Sequence, residues 1–134
     1  MSADNRILVT KWDDGFRIGH GSASNPLPST CNTLYDQARH VIFFGEDPKV
    51  YPDSDQAWKA AYELEESIGY VEYGIDDPDC THYDLEEEYT TYKSRGSYPK
   101  MSLADAWNIE QLYWIDFGNE INYKIRKCLD SKIL

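Results

Sequence analysis

Two β-rich runs, Ile7 to Trp12 and Phe16 to His20, open the chain on either side of Asp13-Asp14-Gly15. An Asp-Gly pair suits the positive φ angles of a tight hairpin turn, so the pattern predicts an opening β-hairpin. With Asp14-Gly15 as the loop, Trp12 would face Arg17 and the guanidinium could stack on the indole. Gly19 and Gly21 then mark a strand end or bulge. From Gly21 to Thr30, Pro26, Pro28 and three serines read as a loop that hands over to a helix capped near Ser29 or Thr30. Leu34, Ala38, Val41 and Phe44 recur at helical spacing, and Gly45 suits a left-handed cap. A short strand over His40 to Phe44 is the alternative, and the cap favours helix.

After a short extended piece from Lys49 to Tyr51, Asp53 and Gln56 stand at capping-box spacing. Ala57, Ala61, Leu64 and Ile68 fall on one helical face, Trp58 and Tyr62 widen that stripe, and Gly69 ends it. Tyr70 to Ile75 alternates as a strand. Asp76-Asp77-Pro78-Asp79 breaks the chain and Asp84 to Tyr92 is acidic and tyrosine-rich, so a loop followed by a short helix or strand is expected. Ser102 with Asp105 opens a helix running to about Ile115. Gly118 interrupts it, and Ile121, Ile125 and Leu129 continue the stripe, with Lys124, Arg126, Lys127 and Lys132 suited to the carboxyl end of a helix dipole. Trp58, Trp107 and Trp114 read as core. The expected fold class is α+β: an N-terminal hairpin and small sheet with helices packed on one face, plus a C-terminal helical segment. A single domain over 1–134 is expected, with an α/β core at 1–76 and an acidic loop and helices at 77–134.

Composition sharpens this picture. The chain has 134 residues, 41% of them hydrophobic and 14% aromatic, enough for one packed core, and a net charge of -11 that is unevenly placed. Between Ala60 and Tyr92 stand eleven acids and no Lys or Arg, while thirteen residues of each sign share the rest of the chain. Such a segment either confers solubility or presents a face that repels nucleic acid and attracts a basic partner. Three cysteines without paired spacing fit a reducing cytoplasm, and the opening Met1-Ser2-Ala3-Asp4-Asn5 has no basic or apolar leader pattern. No stretch reaches the roughly 20 apolar residues of a membrane span.

Catalytic and metal signatures are weak. His20 and Ser22 lack a nucleophile elbow. Asp76, Asp77, Asp79, Cys80 and His82 match neither zinc nor calcium spacing and read as a solvated turn, and Gly15, Gly19 and Gly21 lack the residues of a phosphate loop. No enzyme activity, cofactor or metal is expected.

Met1 to Asn5 leading into an Asp-Gly hairpin, Ala38 to Gly45 (ARHVIFFG), Lys49 to Ala61 and Val71-Glu72-Tyr73-Gly74-Ile75 together resemble a group of small proteins of bacteriophages and prophages. The resemblance covers about the first 76 residues. It implies a setting in the cytoplasm of a bacterial host, where phage accessory proteins often act on host enzymes or defence.

The resulting expectation is a phage-encoded acidic inhibitor of a basic bacterial defence or nucleic-acid-processing protein, anti-CRISPR-like, whose carboxylates imitate a phosphate backbone. Its partner-binding residues would be Glu72, Asp76, Asp77, Asp79, Tyr83, Asp84, Glu86, Glu87, Glu88, Tyr89 and Tyr92, with Tyr83, Tyr89 and Tyr92 as aromatic anchors. Direct nucleic-acid binding and membrane association are not expected. The alternative is a sponge for a small molecule or nucleotide signal, which needs cations, and Arg6, Arg17, Arg39 and Lys11 are its candidates.

Overall fold

A computed structural model describes residues 4–24, 27–84 and 88–114, with the side chains of 81–84, 88–90, 113 and 114 outside the description. The elements in chain order are β1 (Asn5–Trp12), β2 (Gly15–Ser22), α1 (Leu34–Phe44), α2 (Ser54–Ile68), β3 (Ile75–Asp76), β4 (Cys80–Asp84), β5 (Glu88–Tyr92) and α3 (Leu103–Trp114). The fold class is α+β, with a three-stranded sheet in the order β2-β1-β3 and a separate β4-β5 pair.

β1 and β2 form the expected antiparallel hairpin, but Trp12 pairs with Gly15, so the two-residue loop is Asp13-Asp14. Gly15 sits at φ +142°, and a Cβ there would lie 2.5 Å from the Tyr51 carbonyl oxygen. Phe16 and Tyr51 exchange two backbone hydrogen bonds at this point, at 2.8 and 2.7 Å, which leaves no room for a side chain on Gly15. The shifted register puts Arg17 opposite Thr10 instead of Trp12. Arg17 still lies on the Trp12 side of the sheet, with its guanidinium carbon 5.6 Å from that ring and 4.5 Å from the ring of Tyr98.

The sheet is covered on both faces, where one was expected. Ile7, Val9 and Phe16 pack against Ala57 and Ala61 of α2, while Leu8 and Trp12 pack against Phe43 and Phe44 of α1. The physical reason lies in the unbroken apolar run Ile7-Leu8-Val9, because successive strand residues point to opposite faces and both faces must then be buried. Gly19 and Gly21 let α1 lie close to the sheet: a Cβ on either would approach a Phe44 or Phe43 ring carbon to 2.5 or 2.7 Å. On its outer side α1 meets α3 through Ala38, Val41, Ala106 and Ile109.

The helix ends follow their capping chemistry. Thr33 accepts from the Asp36 N–H at 3.0 Å and starts α1 a few residues after Ser29 and Thr30, and the Gly45 N–H donates to the Val41 carbonyl. Asp53 caps α2 as expected, Oδ1 accepting from the Gln56 N–H at 2.8 Å, but Gln56 Nε2 donates to Asp53 Oδ2 at 3.2 Å instead of closing a reciprocal box; Gly69 ends α2, and Ser102 accepts from the Asp105 N–H at 3.1 Å to open α3. Trp58 is partly buried beside the α2 core, whereas Trp107 is half exposed and does not belong to it.

The strand expected over Tyr70 to Ile75 contracts to β3, which runs parallel to β1 with Ile7 paired to Ile75. Before it, Val71 to Gly74 make a turn, with Gly74 at φ +68°. The acidic, tyrosine-rich stretch forms β4 and β5, so strand was the correct alternative there. Gly118, Ile121, Ile125, Leu129 and the basic residues Lys124, Arg126, Lys127 and Lys132 lie outside the described residues. Among the described residues, no helix is long and apolar enough to cross a membrane.

Candidate recognition surface

Among the described residues, the interior holds charges of both signs in equal number. Arg17, Arg39 and the side chain of Arg95 are buried, as are Asp77, Asp79 and Glu110. Arg17 donates from Nη1 and Nη2 to the two Asp14 oxygens at 2.8 and 3.1 Å, Arg39 pairs with Glu110, and Arg95 Nε donates to Asp79 Oδ2 at 2.7 Å. Among the described residues these three of each sign cancel, so they contribute nothing to the net charge of -11.

Arg95 organises the densest of these contacts. It also donates from Nη1 to the Pro28 carbonyl at 2.5 Å and lies 2.6 Å from His40 Nε2, while Asp79 Oδ2 accepts from the Lys11 N–H at 2.9 Å. A guanidinium only donates, so Nε2 is the acceptor and the His40 proton sits on Nδ1, 2.8 Å from the Asp36 carbonyl. Burial, with Arg95 and Arg39 nearby, pushes His40 down to about 4. Cys31 Sγ is 3.4 Å from His40 Nδ1, yet burial pushes this thiol up to about 12. A neutral imidazole beside a protonated thiol is not an activated nucleophile. Sequence reasoning passed over this cluster, because Pro28, Cys31, His40, Asp79 and Arg95 share no spacing that would link them.

The expected partner-binding residues separate into groups. Asp77 and Asp79 face inward and do not belong to an exposed surface, since Asp79 caps a β1 N–H and is held by Arg95. Burial raises Asp77 to about 6 against opposing hydrogen bonds from Trp58 and Tyr92. Tyr92 packs edge-on to Phe16 at 5.1 Å and serves the core instead of standing free as an anchor. Glu72 is partly buried and accepts from the Asp4 N–H at 3.0 Å. Asp76 is exposed. Tyr83, Asp84, Glu88 and Tyr89 lie on β4 and β5, but their side chains, and all of Glu86 and Glu87, are outside the described residues.

Other tyrosines, which the sequence assigned to a helix face and a strand, are the exposed ones. Tyr62, Tyr70 and Tyr73 are 59%, 60% and 59% exposed. Tyr62 and Tyr70 meet at the carboxyl end of α2, where Glu63 and Glu66 are exposed and Glu65 partly so, whereas Tyr73 lines a separate groove with Asp4, Arg6 and Asp76. Tyr62, Glu65, Glu66, Gly69, Tyr70 and Val71 line a shallow groove of about 530 Å³. The turn that carries Tyr70 and Tyr73 is held by Asn5: its Nδ2 donates to the Tyr70 carbonyl at 3.1 Å, its Oδ1 accepts from the Glu72 N–H at 2.9 Å, and its carbonyl accepts from the Tyr73 N–H at 3.0 Å. A sequence signal for this was the pair Gly69-Tyr70 followed by Tyr73-Gly74, turn residues alternating with aromatics.

The remaining candidates are occupied within the fold. Lys11 Nζ donates to the Trp12 carbonyl at 2.6 Å, and with Arg17 and Arg39 paired, Arg6 is the phosphate-binding candidate that still lines a groove, beside Asp4 and Asp76. His20 is exposed with Nε2 3.0 Å from Asn5 Nδ2, and the Ser22 hydroxyl donates to Asp4. Among the described residues, no group of three or more His, Cys, Asp or Glu side chains is placed to hold a metal. No protein-family model, curated protein or solved structure matches the chain, so its family is not assigned by similarity.

Proposed function

We propose that this chain is an acidic binding protein that docks on a cationic surface of a bacterial nucleic-acid-processing or defence protein, as a phage-encoded inhibitor occupying the place of a phosphate backbone. One observation carries the reading: among the described residues the buried charges cancel, while Glu63, Glu66 and Asp76 stand exposed and two open tyrosine rings, Tyr62 and Tyr70, lie at the end of α2. Carboxylates steer association and exclude nucleic acid, while exposed aromatic rings supply the apolar contact that charge alone does not give.

The test is affinity for candidate nucleic-acid-binding effectors as a function of salt. Displacing condensed ions should weaken binding by about tenfold or more between 50 and 200 mM salt, and nucleic acid should compete for the same surface. Binding that ignores salt, or that persists unchanged when Glu63, Glu65, Glu66 and Asp76 are all made amides, would overturn the proposal.

A further inference from the structure

We infer that the groove at the carboxyl end of α2 is an arginine-binding site, in which a guanidinium from a basic partner segment lies between Tyr62 and Tyr70 with its charge met by Glu65 and Glu66. This deepens the function proposed above and rests on it for the source of the arginine.

Three independent features of the groove converge on a cation. The first is placement. Tyr62, Glu65 and Glu66 stand at i, i+3 and i+4 on α2, so one ring and two carboxylates share a face, and Tyr70 closes the other side beyond the Gly69 cap. The second is the helix terminus itself. Gly69 bonds back to the Glu65 carbonyl, and no basic residue occupies the last turn. The final carbonyls of a 15-residue helix therefore present their negative end where two carboxylates already stand. Acids at a helix carboxyl end oppose the dipole, and among the described residues no salt bridge reaches Glu65 or Glu66. Such an arrangement favours a cation at this end of the helix. The third is the aromatic exposure, since two rings more than half open to solvent offer π-faces that a cation can cover.

Arginine fits better than lysine. Its planar guanidinium is weakly hydrated, stacks on tyrosine and donates in a fork to a carboxylate, whereas a lysine ammonium is a compact, strongly hydrated point charge. The groove is open and shallow, suited to one side chain arriving on a peptide or protein surface.

The experiment measures binding of two labelled ten-residue peptides, (Arg-Gly)5 and (Lys-Gly)5, to the full chain at low salt. The arginine peptide should bind about threefold or more tightly. Tyr62→Ala and Tyr70→Ala should each weaken it about three- to fivefold, towards the lysine level, while Tyr62→Phe and Tyr70→Phe retain binding and show that the ring is what matters. Glu65→Gln with Glu66→Gln should weaken both peptides. Asp47→Asn with Asp55→Asn removes the same charge from exposed positions outside the groove and should weaken them clearly less. Equal affinity for the two peptides, unchanged binding by the alanine variants, or equal losses from the two charge-matched pairs would overturn the arginine site. If salt-sensitive binding to a basic effector survives those failures, the charge-based function stands without this site. If neither peptide nor any basic effector binds, both fall.

Discussion

Arg95 Nη1 lies 2.6 Å from His40 Nε2, and this contact decides which imidazole nitrogen carries the proton. His40 is held neutral first by burial, and a second proton would also have to sit against a guanidinium.

Its linkage to stability follows. His40 is pushed down to about 4 from an unfolded value near 6.5, so between these values the unfolded chain binds more protons. Stability from this residue is fully present above pH about 6.5 and is lost as pH falls through about 4, by up to about 3 kcal/mol. Because other buried groups titrate in the same range, the loss is read as a difference: in urea unfolding from pH 7 to pH 4 the wild type should lose stability relative to His40→Gln.

Asp77 acts in the opposite sense. Burial raises it to about 6, so its contribution is fully present below pH about 4 and disappears as pH rises through 6. Asp77→Asn, which keeps an oxygen to accept from the Asp79 N–H, should therefore stabilise the protein at pH 7 to 8 relative to pH 4. In that background the His40 slope should stand out more clearly, and thermal melts over the same range would show it.

The buried pair Arg39–Glu110 ties α1 to α3. Removing one member, as in Arg39→Met or Glu110→Leu, should cost about 3–5 kcal/mol by leaving a buried charge unmet, whereas replacing both together should cost far less. A double-mutant cycle by chemical denaturation reads the difference.

Gly19→Ala should cost about 1–3 kcal/mol, since the new methyl would meet the Phe44 ring. Gly19→Ala with Phe44→Leu should recover part of that loss, which would be checked by the shift in unfolding midpoint.

Local chemistry was the legible part of the fold. Asp53, Gly69, Ser102 and the turn after Trp12 announce their elements because each acts on backbone groups a few residues away. The two-sided sheet was also written in Ile7-Leu8-Val9, although alternation elsewhere suggested one buried face. What sequence could not reveal were pairings across long separations. Asp79 looks like a solvated acid until Arg95 and the Lys11 N–H are placed beside it, and Tyr70 looks like a strand residue until Asn5 gathers the turn. The exposed rings are Tyr62, Tyr70 and Tyr73 and not Tyr92 for the same reason: exposure depends on which distant element arrives to cover a ring.

The parallel pairing of Ile7 with Ile75 bears on how the molecule is made. During synthesis β2 can join β1 at once, yet the other flank of β1 waits until α1, α2 and the turn after them have left the ribosome. For that interval the nascent hairpin offers an unsatisfied strand to any neighbouring chain, and shortened products ending before Ile75 would keep that hazard permanently.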